Sequence, residues 1–146
     1  MANGLYMKVK DGASAIVSDG ATSNVEARYS TIDYDGNGYA LYSVNDGNID
    51  GRNSKISLYG NSTGFERSGD LANPFPIKLT DAKFYVNSKD AVIMNLKNIP
   101  SLNFSTLANT LFQGTLNGAE VHVASGIKNY KLATIDGLTS FDIDSD

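Results

Sequence analysis

The residues best equipped for chemistry lie in one stretch, DYDGNGYALYSVNDGNIDG, from Asp33 to Gly51. Asp33, Asp35, Asn37 and Gly38 follow the pattern D-x-D-x-N-G, and Asp46, Asn48, Asp50 and Gly51 repeat it as D-x-N-x-D-G. Carboxylate and amide oxygens at alternate positions ahead of a glycine turn are what a hard cation such as calcium takes as ligands. Asp33, Asp35 and Asn37 are therefore the candidate metal ligands, for weak calcium binding. A calcium loop of the helix-loop-helix kind closes its cage with a bidentate acid at position 12. Counted from Asp33 and Asp46, that position holds Val44 and Ser57, and the strand-like flanks supply no helices. The competing reading is two turns whose Asp and Asn side chains bond their own backbone.

Other catalytic material is sparse. The single histidine, His122, sits in AEVHVA, where Val121 and Val123 share one strand face and His122 takes the other. No Gly-x-Ser-x-Gly elbow and no glycine-rich phosphate loop accompanies it. Of the three glutamates, Glu26 and Glu120 fall in alternating strands and Glu66 in a loop, a poor start for the paired carboxylates of a glycosidase. The chain reads as a non-enzyme with no catalytic residue and no required cofactor, calcium being the one candidate.

Composition narrows the class further. The net charge of −4 comes from 12 basic and 16 acidic residues, and the bases are scattered. A nucleic-acid groove needs a concentrated basic stripe, so nucleic acid is not the expected partner. No cysteine is present, which excludes disulfides and thiolate sites. No window approaches the roughly 20 apolar residues of a membrane span, and a soluble protein made in the cytoplasm is expected.

The elements that must position these residues are short strands. LYMKVK and VEARYSTI alternate apolar and polar residues, and YALYSV, KISLY, PIKL, KFYV, AVIMN, AEVHVA, YKLATI and TSFDI follow. Asp-Gly and Asn-Gly pairs punctuate them, among them Asp11-Gly12, Asp35-Gly36, Asp46-Gly47 and Asp136-Gly137. Such pairs favour two-residue hairpins. The expected fold is mainly β: an antiparallel β-sandwich or barrel built of hairpins, in one domain spanning residues 1–146 with an N-terminal arm and a short acidic tail. In PSLNFSTLANTLFQG, the residues Phe104, Leu107, Ala108, Leu111 and Phe112 share a helical face, which predicts one short amphipathic helix at about 103–113. The similarity of LKNIPSLNF, from Leu96, to IKNYKLATI, from Ile127, is too loose to predict a solenoid. Residues 60–76 are the longest expected loop, and Tyr34, Phe65, Arg67 and Phe75 are the candidate binding surface. Tyr29, Tyr39 and Tyr42 cluster beside the acidic turns, placed either to stack on sugars or to stiffen cross-strand pairs.

Two resemblances extend this reading. DYDGNGYALYSV is similar to the Asp-rich calcium loops of β-propeller repeats, in which D-x-D-G-[DN]-G leads into a strand; Leu41 stands where that family usually carries a further Asp. Over the whole chain, the immediate strand after MANGLYMKVKDG, the Asn/Ser/Thr/Gly-rich turns, the lack of Cys and Trp and the tail FDIDSD resemble small virion proteins of tailed bacteriophages. These are capsid auxiliary, decoration and head-fibre base proteins. The resemblance implies a β-rich structural protein that binds a repeating capsid or tail lattice, self-associates, commonly as a trimer, and resides in the virion after synthesis in the host cytoplasm. It transfers no functional residue. The alternative expectation is a calcium- or carbohydrate-binding β-module.

Overall fold

Ile32 and Tyr34, Ile56 and Leu58, and Phe84 and Val86 are alternate residues in three separate strand-forming runs, and all six are at most 1% exposed. Each run therefore buries one face, and the question is which run lies beside which. The computed structural model describes residues 4–68, 77–97, 115–127, 130–135 and 141–143. Its strands are β1 (Tyr6–Lys10), β2 (Ile16–Asp19), β3 (Asn24–Glu26), β4 (Thr31–Asp35), β5 (Gly38–Val44), β6 (Asn48–Asp50), β7 (Lys55–Tyr59), β8 (Ser62–Ser68), β9 (Ile77–Lys78), β10 (Lys83–Val86), β11 (Val92–Lys97), β12 (Glu120–Val123), β13 (Tyr130–Ile135) and β14 (Phe141–Ile143).

No strand pairs with its neighbour in sequence until the last two. The first sheet runs β1-β4-β7-β10-β12, the second β14-β13-β11-β8-β5-β2 and the third β3-β6-β9. Every pairing is parallel except that of β13 with β14. The chain thus visits the sheets in turn and returns one rung higher, which is a β-solenoid. Tyr6 lies beside Thr31, Thr31 beside Lys55, Lys55 beside Lys83 and Lys83 beside Glu120.

This overturns the antiparallel sandwich or barrel. Alternation shows that one sheet face is buried, and a solenoid wall and a sandwich wall satisfy it equally well. The Asp-Gly pairs were the misleading feature, since in this fold they turn the chain through a corner onto the next sheet. Gly12 N donates to the Asn37 carbonyl and Gly36 N to the Tyr59 carbonyl, so each corner is hydrogen-bonded to the corner of the next coil. The solenoid dismissed on LKNIPSLNF and IKNYKLATI is present in another register, with Leu96 beside Ile135. The helix expected at 103–113 and the Asp136-Gly137 turn lie outside the described residues.

The core is a set of rungs running along the solenoid. Ile16, Leu41, Phe65 and Met94 stack on the second sheet, and Ile32, Ile56 and Phe84 on the first. Stacked rungs must match in size. Gly64 shows why: a Cβ there would lie 2.5 Å from the Ile93 carbonyl oxygen and 3.1 Å from the Phe84 ring. One corner position carries a left-handed backbone in every coil: Gly4 (φ +73), Tyr29 (φ 60), Asn53 (φ 62), Asp81 (φ 58) and Gly118 (φ +73). Gly, Asn and Asp suit that region, whereas Tyr29 occupies it at a cost.

Candidate functional site

The expected ligands of the acidic loops are spread over different walls. Asp33 and Asp35 alternate with buried Tyr34 on β4 and face outward from the first sheet, while Asn37 lies in the corner leading to the second. Tyr6 donates its hydroxyl proton to Asp33 Oδ2 at 2.6 Å, and that bond holds the Tyr6 phenol above its ordinary pKa. Asn37 N donates to Asp11 Oδ1 at 2.7 Å. In the second motif, Asp46 and Asp50 are both bound by guanidinium groups. Among the described residues, no three His, Cys, Asp or Glu side chains are grouped to hold a metal ion.

The expected binding surface is also relocated. Tyr34 and Phe65 are fully buried and Arg67 is 1% exposed: Tyr34 takes an inward position on β4, and residues 62–68 of the expected loop form β8, whose inward positions enter the core. The Tyr34 hydroxyl donates toward the Ala13 carbonyl, with the Asn37 carbonyl 3.2 Å away. Burial, with Asp11 nearby, raises the Tyr34 phenol pKa. Phe75 lies outside the described residues. Glu66, expected in a loop, is buried on β8 and accepts a hydrogen bond from Asn95 Nδ2 at 2.9 Å. His122 lies on β12, opposite Val121 and Val123 as expected, and is exposed; its ring stacks on Tyr85 at 5.0 Å, with Nε2 3.1 Å from Glu120 Oε1.

The structure assembles three other surfaces. On the second sheet a cleft of about 460 Å³ is lined by Asn37, Gly38, Tyr39, Asn61, Thr63, Val92 and Asn95. Parallel register creates it: Gly38 lies beside Ser62, and Tyr39 beside Thr63, itself beside Val92. Ala40 and Leu41 are consecutive buried residues, so the alternation of β5 skips one step and leaves Tyr39 and Tyr42 on one side, their rings 5.3 Å apart. Among the described residues, no charged side chain lines this cleft. Its signal in the sequence was the recurrence of Gly36-Asn37 as Gly60-Asn61, one coil apart.

On the third sheet a polar cleft of about 540 Å³ is lined by Asn24, Asn48, Ile49, Lys78 and a group of acids and arginines that pair with one another. Arg52 donates to both Asp50 oxygens at 2.9 and 2.8 Å, Arg28 Nε lies 3.7 Å from Asp50 Oδ2, and Arg28 Nη2 lies 3.5 Å from Glu26. Burial alone would raise the Asp50 pKa; the bonds and charge of Arg52, helped by Arg28, outweigh it and hold the carboxyl below its ordinary value.

The third surface is the floor of the first coil. β1, β2 and β3 each end a sheet, and among the described residues no strand pairs with their outer edges. Met7, Val9, Ala15 and Val25 face inward yet are only partly buried, whereas their counterparts one coil on, Ile32, Tyr34, Ala40 and Ile49, are at most 1% exposed. Leu5, Tyr6 and Val17 beside them are 44%, 59% and 48% exposed.

Comparison with protein-family models, with curated proteins and with solved structures gives no match. Among the described residues, no helix is long and apolar enough to cross a membrane.

Proposed function

We propose that this chain is a non-enzymatic structural protein of a larger assembly, in which a neighbouring chain completes the open first coil. The observation that carries this reading is that open coil: three strand edges with which no described strand pairs, above a partly exposed apolar floor. Unpaired edges template strand addition, and free proteins normally cover or blunt them. The first partner is a second copy of the chain. Charge is compatible with a face-to-face arrangement that sets β1 against the partner's other edges, because β1 carries Lys8 and Lys10 while β2 and β3 end in Asp19 and Glu26.

A virion lattice is the setting we favour, as a capsid auxiliary protein of the kind the sequence resembles. Many copies on a repeating surface hold by avidity, without tight single contacts. A non-catalytic role is supported by the placement of the glutamates: Glu26, Glu66 and Glu120 stand on the third, second and first sheets, on different walls of the solenoid. Light scattering across a concentration series tests the proposal. A defined oligomer is expected; a monomer at every attainable concentration overturns it.

A further inference from the structure

We infer that the neutral cleft on the second sheet is a carbohydrate-binding site, and that its ligand is an uncharged oligosaccharide lying along the solenoid axis. This inference is independent of assembly through the first coil, which lies on the solenoid's end and not on its side.

The chemistry of the lining selects the ligand. Three side-chain amides (Asn37, Asn61 and Asn95) and the Thr63 hydroxyl supply both donors and acceptors, while Tyr39 and Val92 supply apolar surface. A sugar ring presents that combination: hydroxyls that both donate and accept, around a C–H face that packs on an aromatic ring. Among the described residues, no hydrogen bond engages the side-chain amides of Asn37 and Asn61. Both residues are exposed, so their amides are available to a ligand. The volume of about 460 Å³ falls within the roughly 300–1,000 Å³ typical of small-molecule sites.

The described lining residues carry no charge, which favours a neutral ligand over a charged one. A phosphate or uronate would need a cation in the cleft, and none is among the described lining residues; the charges that border it are carboxylates, Asp11, which accepts from Asn37 N, and Glu66, which accepts from Asn95 Nδ2. A cationic ligand would in turn need an acid in the lining.

Orientation follows from the fold. Asn37 and Asn61 occupy matching corners of consecutive coils, as Tyr39, Thr63 and Val92 occupy matching strand positions. Parallel strands are spaced by about 4.8 Å, so a ligand running along the axis passes Asn37 and Tyr39, then Asn61 and Thr63, then Val92 and Asn95, one coil at a time. A ligand running along one strand would leave the cleft after a single rung. A linear glycan of a few sugars fits this periodic lining, and a lone monosaccharide uses only part of it.

The test is titration of the full chain with a panel of neutral linear oligosaccharides, with a polyuronate and a sulfated glycan as charged arms. Calorimetry reads affinity, and tyrosine fluorescence compared between the parent and Tyr39→Phe isolates the signal of the cleft tyrosine among the eight of the chain. At least one neutral oligosaccharide is expected to bind more tightly than its monosaccharide and than either charged arm. Tyr39→Ala should weaken it about tenfold, through loss of the aromatic contact. Tyr39→Phe should retain it, and Asn61→Ala, at an exposed corner, should weaken it with an unchanged melting temperature. Silence across the neutral panel overturns the inference. So does preference for a charged arm, or binding that survives both Tyr39→Ala and Asn61→Ala.

Discussion

Arg67 lies inside the solenoid, 1% exposed, and its Nη2 donates to Asp46 Oδ1 at 2.6 Å, joining the interior of one coil to the corner of the coil before it. The Asp46 carboxylate is 35% exposed, so the bond spans the boundary between core and solvent. Removing the acid weakens the anchoring of a buried cation, whereas removing the cation leaves an acid that water can reach. Asp46→Ala is therefore expected to cost about 2 kcal/mol, and Arg67→Met less. Urea denaturation of the two variants checks the order; a larger loss for Arg67→Met would contradict it.

Tyr34 and Gly38 are interlocked at the corner between the first two sheets. The Tyr34 hydroxyl bonds the Ala13 carbonyl, and a Cβ on Gly38, at φ +147, would fall onto that hydroxyl. Tyr34→Phe should lower stability by about 1 kcal/mol, the worth of one buried hydrogen bond. Gly38→Ala should cost more, about 2 kcal/mol, by adding an unfavourable backbone conformation to the clash. Thermal melts of both variants test the ranking.

Tyr29 holds a left-handed backbone with its side chain 61% exposed, at the corner position where the other coils place Gly4, Asn53, Asp81 and Gly118. Left-handed geometry costs a residue with a Cβ about 1–2 kcal/mol. Tyr29→Gly is expected to raise stability by about 1 kcal/mol, part of the relief being offset by greater freedom of the unfolded chain. A loss of stability would show that the exposed ring contributes more than the backbone costs.

The same corner shows what the sequence could reveal. Many strand positions were legible because alternate burial is written into residues such as Ile56 and Leu58, whereas the short strands β2 and β6 did not register and β8 was expected as a loop. Strand partners were not, because a parallel rung requires only similar size and polarity across coils: Leu41, Phe65 and Met94 stack without resembling one another. Asp-Gly pairs fit a solenoid corner as well as a hairpin, so the turns pointed to the wrong topology. The candidate site was hidden for the same reason. Tyr39 and Asn61 become neighbours only through coil register, and the repeated Gly-Asn of residues 36–37 and 60–61 was its one local trace. Exposure of Tyr34 and Arg67 was expected from their places in a turn and a loop, and interior stacking reversed it.

Asp50 links folding to pH. Its carboxyl, bound by Arg52 and near Arg28, titrates in the folded chain below the value of about 3.9 expected when unfolded. A depressed folded pKa contributes stability that is fully present above the unfolded value and is lost as pH falls through the folded one. Asp50→Asn should therefore destabilise the chain at neutral pH, with the gap to the parent closing below about pH 4. Denaturation midpoints at pH 7 and pH 3 measure it; a gap independent of pH would remove Asp50 ionisation as its cause.

The central claim, that a neighbouring chain completes the first coil, is tested most directly by amide hydrogen exchange in β1, β2 and β3 as a function of protein concentration. Completion of the coil predicts that these edge amides exchange rapidly in dilute solution and become protected as the concentration rises, while β5, already paired on both sides, is protected throughout. Edge amides that exchange at the same fast rate at every concentration would contradict the account.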